Sequence, residues 1–412
     1  MRQLLPLWLC LALLLPWGCS EQTPSTSVSA NNPRIRVLLL SDATTATLKC
    51  EGPVQLWLDS APTPRLIRLG SGVQLTLSTN NWTLGSIPLG SGVLTIQATG
   101  GELSVNGTSY RGFFRFIPLS AGTFQAVNDL DIDQYIEGVV ACEMYRDWQL
   151  EAFKAQAVAS RTYALYEARS TGVGRAWDVF PDQRSQMYGG ISGETAQSRF
   201  AAEATSGVVL TYGPGDGKIF KAYFTSCCGG VAQAASDAFP GDPYIPPLSE
   251  QYRGACCNAC KYFNWGPITL TKLELSRRFR LWGQRLAAAK GQRVAEASIA
   301  DIYRMDVQAQ NRYGRPTRVL VTDIRGVQYS LAAEDMRGAV NTDAAPGTTL
   351  PSSFCKINGD PNLNSVTFFD GHGFGHGVGM CQWCAEARAA AGQSAEEILL
   401  ASYPGAKLVR AY

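Results

Sequence analysis

Between residues 35 and about 128, short apolar runs alternate with polar residues at a period of two. Ile35-Arg36-Val37-Leu38-Leu39-Leu40 has the pattern of a buried strand. Val54-Gln55-Leu56-Trp57-Leu58 and Val73-Gln74-Leu75-Thr76-Leu77 alternate strictly, with Gly, Asn and Pro turns between them. Residues 35–124 are therefore expected to be a β-rich N-terminal region. Leu69-Gly70-Ser71-Gly72-Val73 returns as Leu89-Gly90-Ser91-Gly92-Val93, which is too few copies for a solenoid and reads as a pair of similar hairpins.

After Asp131 the period lengthens. Tyr135, Ile136, Val139 and Val140 form one helical face, predicting a short helix capped by Asp133 and ending near Glu143. Asp147 is the expected cap of a longer alanine-rich helix from Trp148 to about Arg169, and a third is expected over 195–205. Val208–Tyr212 and Ile219–Thr225 read as strands, 236–268 as loop, 271–289 as an amphipathic helix and 300–332 as strands. A helix should start near Cys381 and another at Ser394, where Glu397 completes a capping box. The expected fold class is α+β: a β-rich N-terminal part, then a mixed α+β region that carries the chemistry.

The first residues suggest export. Met1-Arg2 and the apolar run Leu4–Gly18 are shorter than a spanning helix, which needs ~20 residues, and have the form of a signal peptide over 1–18. Gly18-Cys19-Ser20 resembles a bacterial lipoprotein cleavage site, making Cys19 the expected lipidation site and 19–34 a polar tether. The protein is thus expected outside the cytoplasm, held at a membrane by a lipid or by its signal segment. A formal charge of +2 gives no bulk attraction to nucleic acid. Two histidines exclude any multi-histidine metal centre.

Three groups of residues carry candidate chemistry. Glu143 lies in the apolar context Val139-Val140-Ala141-Cys142 and Met144, where desolvation would raise its pKa and suit it to general acid work. Lys154, Val158 and Arg161 share one helical face, so two cations either line a cleft beside Glu143 or form an ordinary solvated, salt-bridged face. Residues 371–379 contain five glycines and both histidines, His372 and His376, as expected of a loop presenting an imidazole or using one as a structural hydrogen bonder. The ten cysteines beyond Cys10 and Cys19 include Cys227, Cys228, Cys256, Cys257, Cys260, Cys381 and Cys384. Cys257-x-x-Cys260 and Cys381-x-x-Cys384 have the spacing of a four-cysteine zinc site, whereas an exported location favours disulfides. A redox role is the weakest of the three, since no thioredoxin-like βαβ pattern surrounds Cys381 and Cys384.

Tyr135-Ile136-Glu137-Gly138-Val139-Val140-Ala141-Cys142-Glu143-Met144 and Ala152-Phe153-Lys154-Ala155-Gln156-Ala157-Val158-Ala159-Ser160-Arg161-Thr162-Tyr163 resemble the core of the stage II sporulation protein D family (SpoIID/LytB). Gln186-Met187-Tyr188-Gly189-Gly190 is similar to its Q-x-Y-x-G segment. Gly375-His376-Gly377-Val378-Gly379-Met380-Cys381-Gln382-Trp383 resembles its G-H-G-x-G-M-S-Q-[YW] motif. The match runs in order over about 125–395, with 231–370 as a cysteine-containing insertion or subdomain and 396–412 completing the domain. The resemblance implies a peptidoglycan lytic transglycosylase that cleaves MurNAc–GlcNAc bonds of denuded glycan and leaves 1,6-anhydroMurNAc ends. It implies Glu143 as the catalytic residue and Lys154, Arg161, Gln186, Tyr188, His372, His376 and Gln382 as substrate-binding residues. No cofactor is required; some members of the family hold zinc just after the Gly-Gly segment, so a structural zinc is one tether open to the cysteines. Other relatives are amidase enhancers, which makes a non-catalytic glycan-binding partner of an amidase the alternative. Two departures touch the site: Thr225-Ser226-Cys227-Cys228-Gly229-Gly230 and the cysteines at 381 and 384 replace small residues of the pattern. Both Cys381 and Cys384 are expected to be bonded to Cys227, Cys228 or the 256–260 cluster.

Overall fold

The computed structural model describes residues 32–170 and 172–412; the expected signal peptide, Cys19 and nearly all of the tether lie outside them. Residues 34–131 form a ten-stranded antiparallel sheet in which Arg34–Ala43 lies at one edge and pairs with Phe124–Asp131. The period-two pattern has its physical basis here. Leu48, Leu56, Leu75, Leu94 and Ile96 all point to one core, packed around Trp82, Phe114, Phe116 and Phe124. Trp82 sits edge-on to Phe124 at 5.1 Å and gives its indole N–H to the Gly92 carbonyl at 2.7 Å, so its one polar atom is satisfied. The two similar pentapeptides are not equivalent hairpins. The first lies within the long strand Ala61–Ser78, while the second begins in Ile87–Gly90 and continues into the turn before Leu94–Ala98.

The strand Phe124–Asp131 straddles the expected 124/125 boundary and runs directly into α1 (Ile132–Glu143). Asp131 caps α1, accepting from the backbone N–H of Asp133 at 2.8 Å, two residues before the expected cap. α2 (Leu150–Arg169) starts after Gln149 without a side-chain cap. α3 (Ala196–Ala204) starts in a Thr195/Ser198 capping box. These helices share one core that includes Ile35 and Val37 from the N-terminal sheet and Ile398 and Leu399 from the far end of the chain. The strand Val208–Tyr212 pairs with Lys407–Arg410, so the C-terminus closes the same body. Ile219–Thr225 is a strand only at its two ends, Lys218–Ile219 and Phe224–Thr225.

After the four-residue α4 (Ala235–Ala238), the segment 231–370 builds a core of its own. α5 (Lys272–Lys290) and α6 (Ala333–Asn341) pack on two three-stranded sheets around Phe279, Met305, Val319, Met336 and Phe368. α6 was not expected, and its start shows why: Ala332 occupies the cap position and makes no side-chain cap. α7 (Gln382–Ala390) and α8 (Ala395–Ser402) follow the glycine-rich loop, α8 with the Ser394/Glu397 capping box.

Candidate active site

The site forms where the end of α1 meets the start of α7. Glu143 is the last residue of α1, placed there because Tyr135, Ile136, Val139 and Val140 bury the opposite face of the helix. Gln382 is the first residue of α7, brought into reach by a short parallel pairing of Phe224–Thr225 with Met380–Cys381. Gly379 makes that pairing feasible: its φ is +71°, and a Cβ there would fall 1.8 Å from the Tyr223 carbonyl oxygen.

The Glu143 carboxyl accepts a hydrogen bond from the Met187 N–H at 2.9 Å on Oε1 and one from Gln382 Nε2 at 3.2 Å on Oε2. Gln382 Nε2 also reaches the Glu143 carbonyl at 3.2 Å, so one carboxamide holds both backbone and side chain. Burial pushes the carboxyl above its usual range, and the two donors only partly oppose this. Among the described residues no cation pairs with Glu143, so only these two neutral donors offset the desolvation.

Gln186 and Tyr188 flank Met187, and both are buried. Gln186 takes the Tyr135 hydroxyl at 3.1 Å and gives its amide to the Ser160 carbonyl at 3.3 Å. Tyr188 donates to Asn128 Oδ1 at 3.1 Å and packs on Tyr135 with ring centres 5.0 Å apart. Rather than facing a substrate, they pin the backbone N–H that meets Glu143.

The two cations are placed elsewhere. Arg161 has a fully buried side chain; its Nε meets Asp133 at 2.7 Å, and its other nitrogens bind the Thr205 hydroxyl and the carbonyls of Ala202 and Val208. It has no exposed surface for a ligand, because α2 is enclosed and the carboxylate nearest Arg161 is Asp133. Lys154 pairs with Glu151 one turn back at 2.7 Å. The shared face is real, but Arg161 on it is spent inside the fold, and the ion pair of Lys154 is with Glu151 and not with Glu143.

Neither histidine bonds to Glu143. His372 shares a hydrogen bond with Asn264 through Nδ1 at 2.8 Å. His376 Nδ1 accepts from the Val378 N–H at 3.0 Å, and its ring stands edge-on to Phe239 at 5.3 Å. Loss of hydration pushes His376 down to about 4, with Arg337 and Arg315 adding to the effect against Glu334, so it is neutral at ordinary pH. Its carbonyl accepts from Arg315 at 3.0 Å and from Gln233. Arg315 is fully buried beside Glu334, so the loop is seated on charges supplied by the insertion. Gly377 is needed there, since a Cβ would meet the Arg315 guanidinium at 2.2 Å.

Sequence reasoning missed three aromatic rings. Tyr145, Trp148 and Trp383 form a contiguous cluster with centres 5.0–5.7 Å apart, and Tyr145 is 56% exposed. Tyr145 lies two residues from Glu143 and Trp383 one residue from Gln382, so the cluster borders the site with Tyr145 as its exposed member. No local period could have revealed it.

Behind Gln382 lies a cysteine cluster. Cys256 and Cys384 form a disulfide, joining α7 to the 256–260 segment as expected. Cys381, expected to be bonded, is a free buried thiol. The sulfurs of Cys228, Cys257, Cys381 and Cys384 all lie within 4.8 Å of one another, a set able to hold a structural metal. Cys227 and Cys260 pack against this group.

Residues 120–212 match the model of the SpoIID family, described as stage II sporulation protein. An uncharacterized protein of Brachyspira hyodysenteriae is 29% identical over 307 residues, covering 74% of this chain and 74% of that protein. The amidase enhancer of Bacillus subtilis is 27% identical over 301 residues, 66% of this chain but only 40% of the enhancer. The stage II sporulation protein D of Bacillus subtilis is 25% identical over 309 residues, covering 72% of this chain and 79% of that protein.

Proposed function

Since the chain belongs to the SpoIID family through residues 120–212, we propose that it is an exported peptidoglycan lytic transglycosylase acting on denuded glycan strands. The observation that carries this reading is the state of Glu143: a desolvated carboxyl held by two neutral donors, with its pKa raised and no cation to lower it. Protonated Glu143 gives its proton to the oxygen leaving the anomeric carbon of MurNAc. The Met187 N–H and the Gln382 amide then stabilise the carboxylate left behind. That carboxylate takes the proton of the MurNAc 6-hydroxyl as its oxygen bonds to the anomeric carbon, closing the 1,6-anhydro ring. The nucleophile belongs to the substrate, so the carboxylate pair of ordinary glycosidases is not needed. Tyr145, at the edge of the aromatic cluster, offers a face on which a sugar ring can stack.

The chemistry calls for no cofactor, and the cysteine cluster serves as a tether for the start of α7. Residues 1–18 direct export and Cys19 carries the lipid, so the enzyme works at the outer face of a membrane. The similarity to an amidase enhancer supports a second reading, in which the same site binds glycan and the protein stimulates an amidase without cleaving.

Incubating purified protein with denuded glycan and analysing the ends by mass spectrometry separates the two. Glu143→Gln should lower formation of anhydro ends by about 10²–10⁴-fold, the usual worth of a general acid–base. Undiminished turnover in that variant would remove Glu143 from the role. Wild type that yields no anhydro ends yet stimulates an amidase would favour the second reading.

A further inference from the structure

A cavity of about 340 Å³ lies where α7 and the end of α8 meet the segment 251–254. That is large enough for a small ligand, at the lower end of the roughly 300–1,000 Å³ usual for such sites. Two half-buried guanidinium groups line it, Arg253 from the segment and Arg388 from the last turn of α7. None of its eight lining residues is acidic, and among the described residues neither arginine pairs with a carboxylate. Arg36, Arg111 and Arg337 are half-buried too, and each meets a carboxylate at 2.5–2.7 Å.

The nitrogens left over are those an oxyanion needs. Arg388 spends Nη1 on Gln393 Oε1 at 3.0 Å, and its Nε and Nη2 have no partner among the described residues. Nε and Nη2 form the edge with which Arg111 forks Glu194, at 3.0 and 2.7 Å. Arg253 spends only Nη2, on Gln251 and on the carbonyls of Gly379 at 2.8 Å and Ser402 at 3.2 Å, and keeps Nε and Nη1. The Ser402 carbonyl ends a helix and would repel an anion, but Arg253 and Gln251 Nε2 cover it. The Ser402 hydroxyl has no partner among the described residues although the residue is only 5% exposed, so a buried donor waits at the same wall.

We propose that this cavity binds a small ligand through a carboxylate or phosphate group, held in the fork of Arg388 with Arg253 as the second charge. Two guanidinium groups sharing a cavity repel one another, and an oxyanion between them turns that repulsion into two attractions. Partial shielding from water makes each stronger than at an open surface. No covalent bond is made or broken. Resting on the wall-directed reading given above, the carboxylate is the lactyl group of muramic acid; a phosphate ester is the other source of the same chemistry.

The test uses the full chain and three probes: inorganic phosphate, N-acetylmuramic acid, and N-acetylglucosamine, which lacks the carboxylate. Phenylglyoxal labelling of the wild type, mapped by mass spectrometry, needs no variant to fold. It should slow at Arg388 and Arg253 when an anionic probe is present, while the exposed Arg65 of the N-terminal sheet is labelled at an unchanged rate. Calorimetric titration should show binding that Arg388→Gln weakens about 10–100-fold, the usual loss for a charge-assisted hydrogen bond, and that Arg65→Gln leaves alone. Arg388 is the position to change because Arg253 also supports the Gly379 carbonyl. Protection by N-acetylmuramic acid assigns the carboxylate, and protection by phosphate alone assigns a phosphate ligand. No protection by either anion, equal protection by N-acetylglucosamine, or equal slowing at Arg65 overturns the proposal. Neither readout involves cleavage, so a chain that binds the anion without cleaving refutes only the proposed activity. A chain that cleaves without binding refutes only this site.

Discussion

Removing the Arg161 guanidinium should destabilise the fold and leave the chemistry of the folded molecules alone. Arg161→Met keeps most of the apolar stem but deletes every nitrogen that meets Asp133, Thr205, Ala202 and Val208. Breaking a buried ion pair from one side costs about 3–5 kcal/mol, because the other charge and its neighbours stay behind without partners. Asp133 retains the hydroxyls of Ser206 at 2.6 Å and Tyr412 at 3.0 Å, and its side chain is 14% exposed. The cost should therefore fall at the lower end, about 3 kcal/mol, with the stranded carbonyls contributing part of it. Urea unfolding followed by tryptophan fluorescence measures the loss. Glycan turnover per folded molecule, read in parallel, should match wild type. A variant with the wild-type unfolding midpoint and a raised KM for glycan would refute this, since it would place Arg161 on the substrate.

Glu143→Gln has a second signature, in stability. The folded state raises the Glu143 pKa, so this group's favourable contribution is complete below the unfolded carboxyl's value of ~4.3 and is lost as pH rises through the folded value. The neutral variant should therefore be more stable than wild type at neutral pH, with the gap closing on acidification in thermal melts. A gap that widened towards acid would reverse the assigned shift. For the anchor, Cys19→Ala should move the protein from the membrane fraction to the soluble one, since stable attachment needs more than one acyl chain. Unchanged membrane retention with residues 1–18 still attached would point instead to an uncleaved signal segment.

What can be read from the sequence is whatever depends on near neighbours. The 3.6 period of α1 places Glu143 at a helix end, and the alternation of 35–128 locates the sheet strands. Distant pairing stays hidden. The face shared by Lys154 and Arg161 obeys helical geometry, but only the fold shows that α2 is enclosed by other elements and that Arg161 is claimed by Asp133. Asp133 itself reads as a cap because its type suits one; Asp131 has that place, freeing Asp133 for the ion pair. Gln186 and Tyr188 carry a recognisable motif, yet what they do depends on Ser160 and Asn128. Trp383 and Tyr145 come from opposite ends of the domain, so their contact leaves no mark in either local pattern.

The seat of the histidine loop has a consequence for how this chain can change over evolution. Arg315 and Glu334 belong to the 231–370 segment, but the carbonyl that Arg315 holds is that of His376, six residues before the glutamine that meets the proposed acid. A module spliced in as decoration would be free to drift, shrink or disappear. This one is mortised into the body it interrupts: substitutions at 315 or 334 are felt at 376–382, and a shortened descendant would need a new support for that loop before it could discard the old one.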